Sequence, residues 1–385
     1  MTISNRAKNL SPFHVMDILA QAKLLSEQGK NIYHLEVGEP DFATAESIVN
    51  AGIEALQAFK THYTPALGLT ELRSAVAEYY HRKFSLRINP ERIIITPGAS
   101  GALQLALSCL LDVGENVLLS DPGYPCNRNI AQLLAIETIM IPVTAECNYQ
   151  LNADSVAKNW NDKTRAVMVA TPSNPTGTLL AENQLKELCQ LVSLKKGRLI
   201  VDEIYQGLVY EGNDSTVLEV SDECFVINSF SKYFGMTGWR IGWMVVPEEY
   251  VDAIDRIAQN IFLAPPTVSQ YAALNALTVE TQVELDARRD EFKRRRDFLL
   301  PALEQLGFEI AVKPQGAFYI YANCERFTDD SFNWVKQLLN EQGVALTPGL
   351  DFGDYLANKH CRFAYTQSIE LLEQAVDKIE TFIKR

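Results

Sequence analysis

The chain has 385 residues, of which 47% are hydrophobic and 22% are charged. These values are typical of a folded globular protein and exclude a largely disordered one, and the length allows more than one domain. The formal net charge of −13 argues against binding to a phosphate backbone, so nucleic acid is not an expected partner.

The distribution of cysteine, histidine and apolar residues bears on location and metal content. The seven cysteines are scattered and contain no CxxC pair, which favours a reducing compartment over a disulfide framework. The five histidines lack the spacing of a metal site. No apolar run has membrane-spanning length, and the first residues lack the apolar core of a signal peptide. We therefore expect a cytoplasmic protein that binds no metal.

The first part of the chain is predicted to be a helix followed by a short strand and a turn. Val15 to Gly29 has helical periodicity and ends at a glycine, a residue that commonly terminates helices. The next segment, NIYHLEVGEPDF, is typical of a short strand that runs into a turn. The loop HYTPALGLTELR then leads into a helix that begins near Thr70.

The middle of the chain alternates short, β-rich apolar runs with helical segments. The strand candidates are RIIITP, ENVLLSDP, ETIMIPV, RAVMVATP, GRLIVDEIY, CFVINSF and RIGWMVVP. Helical periodicity fills several of the intervals, namely Ala102–Leu111, Asn127–Leu134 and Glu182–Leu194. This alternation predicts an α/β domain with a mostly parallel sheet.

Beyond Pro266 the pattern changes to a long, charged helical stretch and then to a smaller α+β unit. The strand candidates of that unit are FEIAVKP, GAFYIYAN, VALTPG and CRFAYT. We predict an N-terminal segment, residues 1–37, that packs with a small C-terminal domain, residues 281–385, and a large domain, residues 38–280. The basic cluster KRRR, residues 293–296, has acidic neighbours in the helical stretch, and we predict that it lies on a solvated face.

Lys232 is the first candidate for chemistry. It lies in SFSKYFGMTGWRIGW, among small, aromatic and glycine residues, with Arg240 eight positions later. Partial desolvation lowers the pKa of an amine and makes it nucleophilic, and the planar guanidinium group of an arginine suits a phosphate. The pattern therefore indicates a site built around an amine rather than an ordinary surface lysine.

Three further motifs follow predicted strands, where ligands bind in open α/β sheets. TPGASGAL, residues 96–103, opens a helix whose free N–H groups would bind an anion, although it matches neither common nucleotide-binding motif. TPSNPTG is a rigid turn whose long polar side chain is Asn174. GRLIVDEIY places Asp202 at the end of an apolar run, with Tyr205 three positions later. A structural turn or a helix cap would explain each motif taken alone.

One cofactor requires all of these groups together. Pyridoxal phosphate needs a lysine for its aldehyde, an arginine and a helix N-terminus for its phosphate, and a carboxylate for its ring nitrogen. The motifs LEVGEPDF, YTPALG, TPGASGAL, DPGYP, SNPTG, VDEIY, SFSKYFGMTGWRIGW, TPGLDFG and CRFAYT resemble those of the class I/II aminotransferases over nearly the whole chain. The resemblance implies a pyridoxal-phosphate transferase of fold type I, with a large, mostly parallel α/β domain and a smaller α+β domain.

The resemblance also implies roles around the cofactor ring. Lys232 would form an aldimine with the cofactor and move a proton between the substrate Cα and the cofactor. Asp202 would keep the ring nitrogen protonated, while Asn174 and Tyr205 would hydrogen-bond the phenolic oxygen of the ring. Tyr124 of DPGYP would stack on the ring.

The same resemblance implies the groups that bind the phosphate and the substrate. The phosphate would be held by Ala99, Ser100, Ser229 and Arg240. Arg362 would bind the substrate α-carboxylate as a bidentate pair, with the Gly38 backbone and Asn174 nearby. Tyr63 matches a family tyrosine that reaches the phosphate of the neighbouring subunit, which predicts a homodimer.

The expected reaction is a ping-pong transfer of an amino group from an L-amino acid to a 2-oxo acid such as 2-oxoglutarate. Some dicarboxylate-selective members of the family carry hydroxyl residues just before the first helix, where this chain has Phe13 and Val15. We therefore expect a neutral donor, alanine or a larger apolar amino acid. An aspartate aminotransferase and a C–S β-lyase of the same fold are the alternatives.

Overall fold

The computed structural model describes residues 3–384, and its strands form three sheets. In chain order the strands are β1 (Tyr33–His34), β2 (Ile93–Thr96), β3 (Asn116–Asp121), β4 (Glu137–Pro142), β5 (Thr164–Ala170), β6 (Arg198–Asp202), β7 (Phe225–Ser229), β8 (Gly242–Val245), β9 (Tyr319–Asn323), β10 (Val344–Ala345), β11 (Thr347–Pro348) and β12 (His360–Ala364). The central sheet has the order β2-β8-β7-β6-β5-β3-β4. Its neighbours are parallel except those of β8, which is antiparallel to β2 and β7. The seven strands predicted for the middle of the chain are confirmed.

The helices also follow the predicted pattern closely. In chain order they are α1 (Asn5–Asn9), α2 (His14–Glu27), α3 (Glu46–Gln57), α4 (Thr70–Phe84), α5 (Gly98–Leu110), α6 (Pro125–Leu133), α7 (Ala153–Asn159), α8 (Glu182–Leu194), α9 (Val251–Ile261), α10 (Thr267–Ala276), α11 (Val279–Leu306), α12 (Ser331–Gln342) and α13 (Ile369–Ile383). The long helical stretch predicted beyond Pro266 is two helices, α10 and α11, separated by Leu277 and Thr278. Across residues 3–384, no helix combines the length and apolar character that crossing a membrane requires.

The central sheet is buried on both faces because its strands are apolar almost throughout. Successive residues Leu199, Ile200 and Val201 of β6 alternate between two hydrophobic clusters. One cluster includes Leu185 of α8, and the other includes Leu105 of α5. Such near-continuous apolar runs are typical of parallel sheets covered by helices. The parallel arrangement brings the carboxyl ends of β3, β5, β6 and β7 to one edge of the sheet.

Two smaller sheets form beside the central one. Strands β9, β11 and β12 make an antiparallel sheet, and β1 pairs in parallel with β10. The predicted strand FEIAVKP is wrong, because Glu309 forms a single bridge with Asn323 and the chain then bends away. The predicted strand VALTPG is two strands, β10 and β11, which belong to different sheets.

The side chains of the basic cluster KRRR of α11 differ in their exposure to solvent. Arg294 is exposed, as predicted, but Arg295 and Arg296 are buried. Arg296 donates hydrogen bonds to the Pro314 carbonyl and to the Glu211 carboxylate, each at 2.8 Å. The prediction of a solvated face is wrong for the two buried arginines. Consecutive residues of a helix lie on different faces, and buried guanidinium groups are tolerated when they are paired.

Candidate active site

A cavity of about 300 Å³ lies where the carboxyl ends of the central strands meet the start of α5. All but two of the residues predicted for the site line it. They are Gly38, Ala99, Ser100, Tyr124, Asn174, Asp202, Tyr205, Lys232, Arg240 and Arg362. The exceptions are Ser229 and Tyr63. The fold therefore brings motifs from both ends of the chain together around one cavity.

Lys232 follows β7 and extends into this cavity. Its Nζ donates a hydrogen bond to the Gly38 carbonyl oxygen at 2.6 Å. Burial lowers the pKa of Lys232 from 10.5 to about 8, and the positive charge of Arg362 adds to the lowering. A larger fraction of this amine is therefore neutral near physiological pH than of an ordinary lysine, and the neutral form is the nucleophile.

Asp202 ends β6 and is the buried acid of the cavity. Its Oδ1 accepts the N–H of Ile204 at 3.0 Å. Burial raises the pKa of Asp202 to about 6, against the opposing effects of the Ile204 hydrogen bond and the Lys232 charge. At pH 7 the carboxyl group is mostly ionised, and a buried carboxylate is stabilised by a cationic partner.

The N-terminus of α5 and Arg240 form one end of the cavity. Ala99 and Ser100 lie in the first turn of α5, where backbone N–H groups lack intrahelical partners. Arg240 approaches this turn so closely that a Cβ atom at Gly98 would lie 2.7 Å from Arg240 Nη2. Free N–H groups, the helix dipole and a guanidinium group together suit a phosphate.

Ser229 lies behind the cavity rather than on its surface. It is buried at the end of β7, and its hydroxyl donates to the Ser231 hydroxyl at 2.9 Å. The Ser231 N–H donates back to the Ser229 hydroxyl at 3.1 Å. Ser231 lines the cavity. Ser229 itself does not line the cavity. Its hydrogen bonds connect it to Ser231, which does.

Arg362 of β12 is fixed by contacts on several sides. Its Nη1 donates to Asn174 Oδ1 at 2.9 Å, and its Nη2 donates to the Glu36 carbonyl at 2.6 Å. Its guanidinium carbon lies 4.1 Å from the centroid of the Tyr319 ring. The Nε atom is buried and has no hydrogen-bond partner within the described chain. An unpaired N–H on a guanidinium group that lines a cavity suits a carboxylate ligand.

Tyr319 of β9 lines the cavity, although no motif singled it out. Its hydroxyl shares a hydrogen bond of 2.7 Å with the Tyr205 hydroxyl, and burial raises the pKa of both tyrosines. A Cβ atom at Gly38 would lie 1.8 Å from the Tyr319 hydroxyl oxygen, so this close approach requires a glycine. The segment GAFYIYAN has the alternation of an ordinary core strand, and no local signal marks Tyr319.

Apolar side chains from the start of the chain line another side of the cavity. They are Phe13, Val15, Met16 and Leu19, and together they are called the apolar wall. The rings of Phe13 and Tyr124 meet edge to face, with 6.3 Å between their centroids. Phe13 and Val15, the two positions on which the expected donor class depends, are therefore cavity residues.

A comparison with protein families agrees with this arrangement. The model of the family "Aminotransferase class I and II" matches residues 30–379. The chain belongs to the class I and II aminotransferases. Members of this family use pyridoxal 5′-phosphate, so the chain is a pyridoxal-phosphate-dependent aminotransferase. The family and the cofactor inferred from the sequence motifs are confirmed.

Relatives of this aminotransferase have several different names. The (5-formylfuran-3-yl)methyl phosphate transaminase of Methanocaldococcus jannaschii is 39% identical, over 100% of both chains. The valine–pyruvate aminotransferase of Mycobacterium tuberculosis is 35% identical, over 97% of this chain and 96% of its own. An aspartate aminotransferase of Bacillus sp. is 34% identical, over 99% of both chains.

A solved aminotransferase structure from Mycobacterium tuberculosis superposes with a TM-score of 0.97 at 35% identity. The match covers 100% of this chain and 99% of that one. The fold type I architecture expected from the sequence is therefore confirmed for this aminotransferase.

The cavity of this aminotransferase fits its cofactor. The amine of Lys232 is available for an aldehyde, and the Asp202 carboxylate is available for a protonated ring nitrogen. The lack of a side chain at Gly98 leaves space for an anion between α5 and Arg240. The guanidinium group of Arg362, which lines the cavity, would suit a substrate carboxylate. The chemistry of each group matches the part of the cofactor or substrate that it would meet.

Tyr63 does not contribute to the cavity of its own chain. Its side chain is 82% exposed. Phe59, four residues earlier, is 81% exposed, so two large exposed aromatic residues lie close together in the sequence. The family resemblance predicts that Tyr63 reaches the site of a neighbouring subunit, which a single chain does not test.

Proposed function

We propose that this aminotransferase moves the amino group of a neutral L-amino acid, alanine or a larger apolar one, to a 2-oxo acid such as 2-oxoglutarate, by a ping-pong mechanism that depends on Lys232. The observation that carries the proposal is the composition of the cavity. An amine of lowered pKa, a buried carboxylate and a guanidinium group with an unpaired N–H line it together with an apolar wall.

Lys232 has the central chemical role in this proposal. The cofactor, when bound, supplies an electron-withdrawing ring that stabilises negative charge on the substrate Cα. Lys232 Nζ would hold the cofactor through its aldehyde. Once the substrate amino group has displaced it, the freed amine would accept the proton from the substrate Cα and return it later in the half-reaction. General acid–base groups work best when their pKa lies near the working pH. The lowered pKa of Lys232 brings this amine closer to that condition.

Asp202, Asn174 and Tyr205 would orient the cofactor ring. The Asp202 carboxylate would hold a proton on the ring nitrogen, because burial strengthens the attraction between the two charges. Asn174 accepts the Arg362 N–H through Oδ1, which leaves its amide nitrogen to donate to the phenolic oxygen of the ring. The Tyr205 hydroxyl, which Tyr319 contacts at 2.7 Å, would be the second donor to that oxygen.

The remaining predicted residues would fix the two ends of the bound molecules. The cofactor phosphate would bind to the first turn of α5 at Ala99 and Ser100, together with Arg240 and the serine pair that contains Ser229. Tyr124 would stack on the ring. At the other end, Arg362 would bind the substrate α-carboxylate, with the Gly38 backbone alongside.

The apolar wall supports a neutral donor. A second carboxylate placed against Phe13 and Val15 would lose its hydration without gaining a hydrogen bond or a counter-ion, which is costly. An apolar side chain in the same place would gain from leaving water. The name of the valine–pyruvate relative agrees with this donor class. The same name favours including pyruvate, beside 2-oxoglutarate, among the acceptors to be tested.

Aspartate is the second candidate donor. The Bacillus relative, which is 34% identical over nearly the whole chain, is named an aspartate aminotransferase. A purified holoenzyme assayed with each pairing of alanine, valine, leucine, phenylalanine or aspartate with pyruvate or 2-oxoglutarate separates the candidates. We expect kcat/KM for at least one of the four neutral donors to exceed that for aspartate. A clear preference for aspartate would replace the proposed donor class with the second candidate.

We further propose a homodimer and the division into the three segments predicted from the sequence. The exposure of Tyr63 and Phe59 supports a partner surface, since large aromatic groups on a surface often mark an interface. The pairing of β1 with β10 supports packing of residues 1–37 with the small domain, residues 281–385. The large domain, residues 38–280, contains the central sheet. Light scattering gives the mass in solution, and a monomer would contradict the dimer.

A further inference from the structure

Asp351 is a buried acid outside the groups assigned so far. It lies in the motif TPGLDFG and is 1% exposed. Its Oδ1 accepts the N–H of His14 at 2.7 Å, and its Oδ2 accepts the N–H of Val15 at 2.8 Å. Both N–H groups belong to the first turn of α2, and Val15 lies 336 positions away in the sequence.

These two hydrogen bonds replace the cap that α2 does not provide for itself. The first N–H groups of a helix lack intrahelical acceptors, and a residue just before the helix usually satisfies them. Phe13 occupies that position in α2 and makes no side-chain cap. The Asp351 carboxylate satisfies two of the donors and places negative charge at the positive end of the helix dipole.

The two ends of α2 are held separately. In the middle of the helix, Gln21 donates to Asn340 Oδ1 at 2.9 Å, and Lys30, beyond the C-terminal end, also donates to Asn340. At the N-terminal end, Asp351 makes the two hydrogen bonds that fix the first turn. That first turn carries Val15 and follows Phe13, so Asp351 holds the end of α2 that lines the cavity.

Asp351 is itself firmly placed. Its carbonyl oxygen accepts a hydrogen bond from Arg128 Nη2 at 2.9 Å, and Arg128 belongs to α6, which begins directly after Tyr124. The carbonyl of the next residue, Phe352, accepts the N–H of Gly123 at 2.7 Å. The acid therefore links α2 to the segment that bears Tyr124.

We propose that Asp351 is a positioning residue that sets the fit of the donor side chain by holding Phe13 and Val15 of the apolar wall in place. The inference rests on the proposed apolar donor class. The side chain of a large apolar donor reaches the wall, whereas the methyl group of alanine makes little contact with it. Loosening the first turn of α2 therefore weakens the binding of large donors more than that of alanine.

The test compares the holoenzyme variants Asp351→Ala and Asp351→Asn with wild type and with Glu27→Gln. Glu27 is an exposed acid at the opposite end of the same helix and serves as the matched control. A rapid half-reaction without acceptor, followed through the absorbance of the bound cofactor, gives a dissociation constant and a limiting rate for alanine, leucine and phenylalanine. Hydrogen exchange of the amides of residues 13–19 reports directly on the cap.

For Asp351→Ala we expect the dissociation constants of leucine and phenylalanine to rise roughly tenfold, with alanine changed by less than about twofold and limiting rates nearly constant. Exchange at His14 and Val15 should accelerate. Asp351→Asn retains one acceptor oxygen and should be intermediate, and Glu27→Gln should match wild type. An equal loss for all three donors, or unchanged exchange at these amides, would overturn the proposal.

The outcomes also separate this inference from the proposed function. If wild type reacts with aspartate but not with the apolar donors, the donor class is wrong. Hydrogen exchange alone then tests whether Asp351 holds the first turn of α2. Unchanged protection of His14 and Val15 in Asp351→Ala would show that it does not.

Discussion

The two sides of the cavity are built in different ways. The proposed cofactor side consists of Asn174, Asp202, Tyr205 and Lys232, which lie at or soon after the carboxyl ends of neighbouring strands, and of Arg240, which lies just before β8. The proposed donor side consists of the apolar wall and Arg362, which come from opposite ends of the chain. One sheet positions the groups on the cofactor side, whereas the donor side depends on packing between distant segments. The chemistry of such a site is therefore easier to infer from short motifs than its substrate.

Replacing Lys232 should have the largest effect, because no other lysine within residues 3–384 lines the cavity. We expect Lys232→Ala to lower kcat by at least ~10³-fold, since it removes both the nucleophile and the proton carrier. The visible absorbance of lysine-bound cofactor should disappear. Lys186→Ala, on the exposed face of α8, is the control and should behave as wild type. Turnover retained in Lys232→Ala would refute the assignment.

Removing the acid of the cofactor side should slow chemistry more than it weakens binding. For Asp202→Asn we expect kcat to fall by ~10²–10³-fold while KM changes little, because the ring nitrogen loses its counter-charge mainly in the transition state. Steady-state kinetics with a fixed acceptor measures both constants. The exposed Asp162 provides the control variant Asp162→Asn. A rise in KM with unchanged kcat would show that Asp202 contributes to substrate binding rather than to the chemical step.

Arg362 connects the two sides, since it binds Asn174 as well as the expected substrate carboxylate. We expect Arg362→Ala to cost roughly 2–5 kcal/mol in kcat/KM, the range for loss of one partner of a buried charge pair. Arg362→Lys should recover only part of this, because lysine keeps the charge but loses the planar fork. Equal kcat/KM in wild type and Arg362→Ala would remove Arg362 from the site.

The lowered pKa of Lys232 predicts a pH profile for binding of cofactor to the cofactor-free protein. Below about pH 8 the amine is protonated and unreactive, so the rate of attachment should rise with pH and level off above about 8, rather than near 10.5. Stopped-flow absorbance measures this rate. Arg362→Ala should move the midpoint upward, because the Arg362 charge contributes to the lowering. A rate that rises steadily up to pH 10 would contradict the lowered pKa.

The smallest effect is expected at the apolar wall. For Phe13→Ala we expect kcat/KM with phenylalanine or leucine to fall roughly tenfold, with little change for alanine, because the large side chains lose apolar contact. Leu24→Ala, an exposed position of α2, is the control. Equal losses for all donors would mean that Phe13 stabilises the fold rather than selecting the substrate.

The sequence predicted the central sheet and most of the cofactor side because both are local patterns. An apolar run such as GRLIVDEIY predicts both a buried strand and the acid, Asp202, that ends it. The donor side was harder to predict, because a helix cap 336 positions away, such as Asp351 on α2, leaves no periodic signal. Tyr319 is also unmarked by any local pattern, because its contacts with Gly38 and Tyr205 are distant in the sequence.

The two errors in the C-terminal third have a common origin. In both KRRR and FEIAVKP, the pattern of neighbouring residues in the sequence predicts a structure that the tertiary contacts override. Arg296 donates hydrogen bonds to its neighbour Asp297, but also to Glu211 and to the Pro314 carbonyl, which the local sequence does not reveal as partners. A strand did not form at FEIAVKP because only Glu309 has a pairing partner there. Burial and pairing are decided by tertiary contacts that local patterns do not contain.

Gly38 makes the two sides mutually dependent. Its carbonyl binds the Lys232 amine, and a single methyl group added at its Cα would collide with the Tyr319 hydroxyl. That hydroxyl contacts Tyr205, and the same ring lies against Arg362. A mutational scan should therefore find even alanine poorly tolerated at this position, although it carries no side chain. The Tyr319 hydroxyl occupies the space that a Cβ atom would need, so residue 38 must remain without one.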